Sequence, residues 1–226
     1  MAKTPRVAVL LAGCGHLDGA EIREAVLTLL ALDQHGAEFQ CVAPNDNQAH
    51  VVDHAKGAPA EGEARNILVE SSRIARAGKC ADLASVSAAD FDALLLPGGY
   101  GVAKNHCSFA FKGTDAEVRP DVAAFVKAFF GAGKPVGAIC ISPALVALCL
   151  SKEGRAATLT LGDGADIQKA MEKLGHRYRS VPSAREIVVD EALKLVTTPA
   201  YMFDDARLSD VWVGIERCVT EVLKRC

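Results

Sequence analysis

The stretch GAICIS, residues 137–142, decides the fold, because it leads from a short apolar strand into a helix with Cys140 at the junction. The apolar content of Lys134–Ile139 predicts a buried strand. Pro143–Leu150 is predicted to be a helix with proline in its first turn, where proline is well tolerated. This arrangement is typical of a nucleophile elbow, a sharp turn that raises its central side chain above a sheet. The alternative is a buried structural cysteine, since free cysteine is among the most buried residue types.

An elbow at Cys140 predicts two physical properties. A turn of this kind often holds its central residue in a sparsely populated backbone conformation, at a cost of about 1–3 kcal/mol. The N–H groups at the start of the next helix point at the thiol, which stabilises the thiolate and lowers its pKa. We therefore expect a strained Cys140 with a lowered pKa that reacts faster than the other cysteines of the chain.

Apolar strands alternate with helices along the rest of the sequence. The first helix is predicted to begin after Asp18, which forms a capping box with Glu21, and to stop at Gly36. Further strands are predicted at Arg6–Ala12, Ala37–Ala43, Phe91–Pro97, Ala156–Leu161, Ile187–Asp190 and Leu193–Thr197, a small hairpin or excursion at Gln48–Pro59, an irregular loop at Lys104–Thr114, and further helices at Glu63–Ala77, Glu117–Gly131, Ala165–Leu174 and Asp204–Lys224. This order predicts an α/β fold with a doubly wound, mostly parallel sheet. With 226 residues, half of them hydrophobic, the chain is expected to form one domain over residues 1–226.

Three loops are expected at the ligand-binding edge of this sheet, since ligands bind at the carboxyl ends of parallel strands. They are Gly13–Gly19, Pro97–Asn105 and Cys140–Pro143. The second loop contains the glycines of LLLPGGYG (94–101), which can expose backbone N–H groups to a ligand. The amides of Gly98, Gly99 and Ile141 are candidates for an oxyanion hole. Asn105 is a candidate substrate-binding residue, and an ordinary Pro-Gly-Gly turn is the alternative for this loop.

Glu24, in the first predicted helix, is the candidate proton carrier. Its carboxyl group reaches the thiol of Cys140 if the start of the helix lies over the strand ends. Taken alone, a helix glutamate is more often solvated. His16 and His106 lie on the candidate loops and are alternative partners for Cys140, although loop histidines are more often exposed to solvent.

The composition excludes several classes of function. A net charge of −3 and a pI near 6.1 do not suggest a nucleic-acid partner or a membrane-surface patch, and no apolar run has transmembrane length. Eight cysteines without zinc-ligand spacing indicate free thiols in a reducing cytoplasm and no metal site. Leu11–Cys14 resembles a lipoprotein cleavage box, but the apolar run before it is short and also predicts the first core strand.

Beyond these physical arguments, GAICISP and LLLPGGYG together resemble the superfamily of PfpI-type proteases, protein deglycases and class I glutamine amidotransferase-like domains. DGAEIREAV resembles the first helix of that superfamily and places its glutamate at Glu24. Nearly the whole chain, including HVVDHAKG, RNILVESSRIAR, PGGYGVAKNHCSFA and TTPAYM, resembles the ElbB type, described as isoprenoid biosynthesis proteins with an amidotransferase-like domain. The resemblance implies a flavodoxin-like α/β sandwich with a functional Cys140.

The chain departs from the superfamily pattern at the base that would serve the cysteine. Glutaminase domains carry a downstream His-x-Glu pair, whereas the only downstream histidine here, His176, has no acid two places on. Many PfpI-type relatives have a histidine directly after the cysteine, and here that position is Ile141. These departures argue against glutaminase and peptidase activity and leave Glu24 as the leading proton carrier.

Two functions stay open at this stage. The first, which the resemblance implies, is a glutathione-independent glyoxalase, or a related deglycase-like enzyme, that needs no cofactor and converts glyoxal to glycolate through a hemithioacetal on Cys140. The second is a non-catalytic redox sensor or regulatory binding protein linked to isoprenoid metabolism. The first predicts a small reactive aldehyde as the partner. Neither requires nucleic acid or a membrane, and both a monomer and a homodimer are compatible with the sequence.

Overall fold

Strands and helices alternate through residues 4–226, which the computed structural model describes. The strands are β1 Arg6–Leu10, β2 Glu38–Ala43, β3 Val52–Asp53, β4 Ala58–Pro59, β5 Cys80–Asp82, β6 Ala93–Leu96, β7 Val136–Ile139, β8 Thr158–Leu159, β9 Arg177–Tyr178, β10 Val188–Asp190 and β11 Leu195–Thr198. The α-helices are α1 Ile22–Gln34, α2 Ile67–Ala75, α3 Phe109–Lys112, α4 Pro120–Gly131, α5 Ser142–Ser151, α6 Ala165–Lys173 and α7 Leu208–Leu223. The first three residues of the predicted domain lie outside this range.

Seven of these strands form one sheet in the order β10-β11-β7-β6-β1-β2-β5. All neighbours in it are parallel except β10 and β11, which pair antiparallel. The three central strands, β1, β6 and β7, are the continuous apolar runs of the sequence, as expected for parallel strands that are covered on both faces. The predicted α/β fold with a mostly parallel, doubly wound sheet is confirmed.

Helices cover both faces of the sheet, because successive side chains of a strand point to opposite faces. In β1, Ala8 and Leu10 belong to one apolar cluster with residues of α4 and α5. Val7 and Val9 belong to the other cluster, with residues of α1 and α7. Helix α5 is buried all round from Ser142 to Leu150, so the helix that follows the elbow is anchored in the core.

The start of the first helix differs from the prediction. Glu21, and not Asp18, caps α1, and its carboxylate accepts the N–H of Glu24 at 2.6 Å. The carboxylate of Asp18 is buried and accepts the N–H of Val52 at 2.7 Å, on the β3–β4 hairpin. A contact across 34 residues therefore displaces the local capping pattern. The predicted end of this helix is confirmed, since Gly36 follows it with φ +67°.

The smaller elements were predicted less well. The hairpin within Gln48–Pro59 is present, as β3 and β4. The strand expected at Ala156–Leu161 shortens to β8, which leaves the main sheet and pairs with β9. Strands β5 and β9 were missed because they are two or three residues long and only partly buried, so they carry no apolar run. The predicted loop Lys104–Thr114 contains α3 and most of a π-helical turn, Val102–His106.

Gly214 allows α7 to pack closely beneath the elbow. A Cβ atom at this position would overlap the carbonyl oxygen of Ala184 and would lie 2.7 Å from Oγ1 of Thr198. Thr198 is the last residue of β11, and its carbonyl oxygen accepts the N–H of Cys140 at 2.9 Å. The position of α7 and the backbone of the elbow are therefore linked through β11.

We predict that Gly214→Ala lowers the free energy of unfolding by about 3 kcal/mol, because the backbone oxygen it meets cannot move aside cheaply. Gly131→Ala, at the end of α4, is the matched control, since a Cβ atom there meets nothing within 4 Å. Removing a helical glycine should leave stability equal or raise it by about 0.5–1 kcal/mol. Urea unfolding followed by circular dichroism measures both, and equal stability of the two variants would contradict the close packing.

Candidate active site

Cys140 occupies the elbow between β7 and α5, as the sequence predicts. Its φ angle is +61°, a left-handed conformation that costs a non-glycine residue about 1–3 kcal/mol. The turn is held on both sides of β7. The N–H of Cys140 donates to Thr198, and the hydroxyl of Ser142 donates to the carbonyl oxygen of Pro97 at 2.8 Å. The strained backbone is therefore fixed by the two neighbouring strand ends.

Glu24 points inward from α1 and is completely buried. One carboxyl oxygen, Oε2, accepts the N–H of Gly98 at 2.9 Å, and the other, Oε1, accepts the N–H of Tyr201 at 3.2 Å. The carboxyl group also shares a hydrogen bond with the thiol of Cys140. The structure thus brings together the two residues that the sequence predicts as nucleophile and proton carrier.

The glycines of the PGGYG loop make room for this pair. A Cβ atom on Gly98 would overlap Cβ of Cys140 and would lie 2.7 Å from Oε2 of Glu24. Gly99 has φ +99°, and a Cβ atom there would overlap the backbone of Glu21 and Gly19. Both positions therefore require glycine for steric reasons.

The predicted oxyanion donors divide into two groups. The N–H groups of Gly99 and Ile141 point at the sulfur of Cys140, where they can also reach an oxygen bound beside it. The N–H of Gly98 is already bound to Glu24, so the prediction of Gly98 as an oxyanion donor is not supported by its position. Gly98 instead holds the carboxyl group of Glu24 in place.

Burial controls the protonation of the pair. Burial, followed by the nearby carboxylate of Glu21, raises the pKa of Glu24 to about 8. Burial and the carboxylate of Glu24 raise the pKa of the Cys140 thiol, and the N–H groups of Gly99 and Ile141 only partly oppose this. The predicted lowering of the thiol pKa is therefore wrong in direction. Two adjacent buried anions repel each other, so the pair keeps at least one proton at neutral pH.

Asn105 does not reach the thiol. Its side-chain amide donates to the carbonyl oxygens of Ala12 and Asp18, both at 2.8 Å, and its carbonyl oxygen accepts the N–H of Ala49 at 2.9 Å. The residue is buried and ties three loops together. Its predicted role in substrate binding is replaced by a structural one, because its polar groups already have partners in the protein.

Two of the three histidines singled out in the sequence are likewise held by contacts within the protein. His106 is completely buried and contacts the carbonyl oxygen of Leu11, and burial lowers its pKa to about 4. His176 contacts Ser151 and Ala147 through one ring nitrogen and accepts an N–H through the other, within the packing around α5. Of the histidines singled out in the sequence, only His16 lines the space in front of Cys140.

A cavity of about 220 Å³ opens in front of the thiol. Its walls come from all three predicted loops and from the segment after β11: His16, Gly99, Tyr100, Cys140, Ile141, Tyr201, Met202 and Asp204. The last three residues were not predicted as site residues. The available signal was the motif TTPAYM, in which Ala200 takes a left-handed φ of +43° and turns Tyr201 toward Glu24.

Comparison with known proteins places the chain in a family. A model of the DJ-1/PfpI family matches residues 6–204. The chain belongs to the DJ-1/PfpI family. Its resemblance to the PfpI and amidotransferase-like superfamily is therefore confirmed. The DJ-1/PfpI family includes proteases and glyoxalases, and membership supports a glyoxalase-type, deglycase-type or regulatory role.

Individual members of the DJ-1/PfpI family extend this comparison. The chain is 45% identical over 228 residues to the human glutamine amidotransferase-like class 1 domain-containing protein 3, mitochondrial. This match covers 97% of the chain and 82% of the human protein. A crystal structure of an isoprenoid biosynthesis protein with amidotransferase-like domain from Ehrlichia chaffeensis has a TM-score of 0.88 and 41% identity, over 98% of this chain and 100% of that one. Drosophila melanogaster DJ-1beta, at 20% identity and a TM-score of 0.53 over 98% of this chain and 97% of that one, shares the fold.

Within residues 4–226, no three histidine, cysteine or acidic side chains are grouped so that they could hold a metal ion. None of the helices in the same range is both long enough and apolar enough to cross a membrane. The predicted cytoplasmic location stays a prediction, since the human relative is named as mitochondrial.

We predict that wild-type stability falls, relative to Glu24→Gln, as the pH rises from 5 to 8. The unfolded chain releases the Glu24 proton near the ordinary pKa of 4.5, whereas the folded chain keeps it until about 8. Between these values the folded state binds more protons, so raising the pH costs stability, by at most about 1.4 kcal/mol per pH unit. Urea unfolding at pH 5, 6, 7 and 8 measures the difference.

Glu24→Gln should lower the free energy of unfolding, because the amide nitrogen of glutamine faces a backbone N–H. This loss of stability does not vary with pH. Glu38→Gln, at the exposed start of β2, is the matched control and should follow the wild type at every pH. Glu21, whose pKa is also raised by burial, is present in all three proteins and cancels in the comparison. A wild-type curve parallel to that of Glu24→Gln would show that Glu24 is ionised in the folded protein.

Proposed function

We propose that this protein is a glutathione-independent glyoxalase, or a closely related deglycase-like enzyme, that converts glyoxal to glycolate without a cofactor. The observation that supports this proposal is the buried carboxyl group of Glu24, hydrogen-bonded to a strained thiol at the wall of a small cavity. Carbonyl isomerisation needs a nucleophile and a group that moves a proton between adjacent carbons. Cys140 and Glu24 are the pair proposed for these two roles.

In the first proposed step, the sulfur of Cys140 bonds to one aldehyde carbon of glyoxal. The carbonyl π bond breaks, and the thiol proton passes through the Glu24 carboxylate to the oxygen, which yields a hemithioacetal. The N–H groups of Gly99 and Ile141, which face the sulfur, are the donors proposed for the developing oxyanion. Because the carboxylate must accept a proton, the reactive state is the pair that has already lost one of its two protons.

In the second step, the Glu24 carboxylate removes the hydrogen from the carbon that carries sulfur as a proton, and an enediolate forms across the two carbons, with its negative charge on the oxygen of the second carbon. Glu24 returns the proton to the second carbon, and the hydroxyl proton of the first carbon moves to the oxygen of the second. The product is the glycolyl thioester of Cys140, an isomer of the hemithioacetal. A carboxyl group bound by two backbone N–H groups is held in place for both transfers.

In the third step, water adds to the thioester carbonyl, the carbon–sulfur bond breaks, and the thiol recovers its proton. The overall reaction converts glyoxal and water to glycolate and one proton, and it needs no external oxidant or reductant. Glutaminase or peptidase chemistry is less well supported, because His176 is held within the packing around α5 and Ile141 stands where a histidine would follow the nucleophile.

We predict that purified wild type converts glyoxal to glycolate in the absence of glutathione, and that kcat/KM rises as the pH passes through about 8, where Glu24 ionises. Cys140→Ala should form no glycolate. Glu24→Gln should lower kcat/KM by about 10²-fold or more, the usual scale for a lost acid–base group. The double variant should be no worse than Cys140→Ala, because the two residues act as a unit. Glycolate is quantified by chromatography.

The matched control is Cys226→Ser, which removes an exposed cysteine and should keep full activity. Full activity in Glu24→Gln would sink the proposed mechanism. A wild type that consumes no aldehyde would exclude the enzyme and leave the regulatory or redox role.

A further inference from the structure

Tyr201 lines two neighbouring cavities. One, of about 220 Å³, has Cys140 in its wall and is named the inner chamber, and the other, of about 410 Å³, is named the outer chamber. The walls of the outer chamber are Gly15, His16, Glu21, Ile22, Arg23, His54, Tyr201 and Asp204. His16, Tyr201 and Asp204 line both chambers, so the two are adjacent, and together they are named the cleft.

Tyr201 is held at both ends. Its backbone N–H donates to Oε1 of Glu24, and the left-handed turn at Ala200 directs it there. Its hydroxyl accepts a hydrogen bond from Nη1 of Arg23 at 3.1 Å, and the guanidinium carbon of the same arginine lies 5.8 Å from the ring centroid. Arg23 is exposed, so this tether can be released at little cost. The ring is thus held in the wall of the inner chamber, while the backbone N–H of the same residue binds Glu24.

The size of the cleft exceeds what glyoxal requires. Glyoxal has two carbon and two oxygen atoms, and the inner chamber alone can contain it. The outer chamber is nearly twice as large and adds space for a substituent on the reacting carbonyl compound. The walls of that chamber carry hydrogen-bond donors, such as Arg23, and acceptors, such as Asp204. Hydroxyl groups both donate and accept, so they match a wall of this kind better than a group of single charge does.

We propose that Tyr201, tethered by Arg23, limits the size of the molecules that reach Cys140, and that the outer chamber binds the hydroxylated chain of a larger 2-oxoaldehyde. The substrate half of this proposal rests on the proposed glyoxalase function. The size limit set by Tyr201, which we call the gate, does not rest on that function, because access to the thiol depends only on the shape of the cleft.

The gate is tested by alkylation of Cys140 with iodoacetamide and with N-benzyliodoacetamide, which share one reactive group and differ in size. Peptide mass spectrometry gives the two rate constants for this cysteine. In Tyr201→Ala, the rate with the larger reagent relative to the smaller one should rise about tenfold or more, the lower range for steric discrimination in a pocket. The backbone N–H of residue 201 remains in this variant, so the hydrogen bond to Glu24 is kept.

Two further variants separate the ring from its tether. Tyr201→Phe and Arg23→Gln release the hydroxyl while keeping the ring, and both should raise the ratio by less than Tyr201→Ala does. Phe111→Ala removes an exposed aromatic ring outside the cleft and should leave the ratio unchanged. A ratio in Tyr201→Ala equal to that of wild type overturns the gate, provided that its circular dichroism spectrum matches.

The substrate class is tested with 3-deoxyglucosone, a 2-oxoaldehyde with a hydroxylated chain, against phenylglyoxal, which carries an apolar ring. The wild type should prefer the first by about tenfold or more in kcat/KM, and Arg23→Leu should reduce this preference. Equal use of both overturns the assignment of the outer chamber. A wild type that consumes no carbonyl compound overturns the substrate class together with the proposed function, and the alkylation ratios still decide the gate.

Discussion

The protonation of the buried pair formed by Glu24 and Cys140 is the constraint on which the rest of the site depends. Two adjacent anions would repel strongly at buried positions, so the folded protein keeps at least one proton on the pair near neutral pH. The two carboxyl oxygens of Glu24 also accept hydrogen bonds from the N–H groups of Gly98 and Tyr201. Three chain segments distant in sequence must therefore meet at this carboxyl group.

Glycine makes that meeting sterically possible. The loop after β1 packs directly on the loop after β6, and a Cβ atom at Gly19 or Gly101 would overlap the backbone of the first loop. The N–H of Gly101 donates to the carbonyl oxygen of Gly19 at 2.9 Å across this contact. The site is thus formed largely from backbone, which cannot be rearranged by rotamer changes, and this rigidity supports the strained turn at Cys140.

The polar side chain bound to the thiol of Cys140 is the carboxyl group of Glu24. The residue after Cys140 is Ile141, and the buried His106 and His176 are held by contacts elsewhere. The proposed mechanism therefore gives proton transfer to Glu24, whose raised pKa keeps it mostly protonated at neutral pH and able to ionise near pH 8. A single fold hosts several chemistries in this way, because the residues around the elbow can change while the elbow itself is retained.

The sequence by itself determined the central strands of the sheet, the elbow and the place of Cys140 on it, because apolar runs, glycines and a proline after Cys140 act over a few residues. Only the tertiary structure decided which groups are partners. Gly98 binds Glu24 across 74 residues of sequence, and Tyr201 binds it across 177. The side chain of Asn105 is hydrogen-bonded to neighbouring loops and so does not bind at the site. The thiol pKa was predicted in the wrong direction for the same reason. A helix terminus is visible in the sequence, whereas the burial that outweighs it is set by the packing of the whole chain.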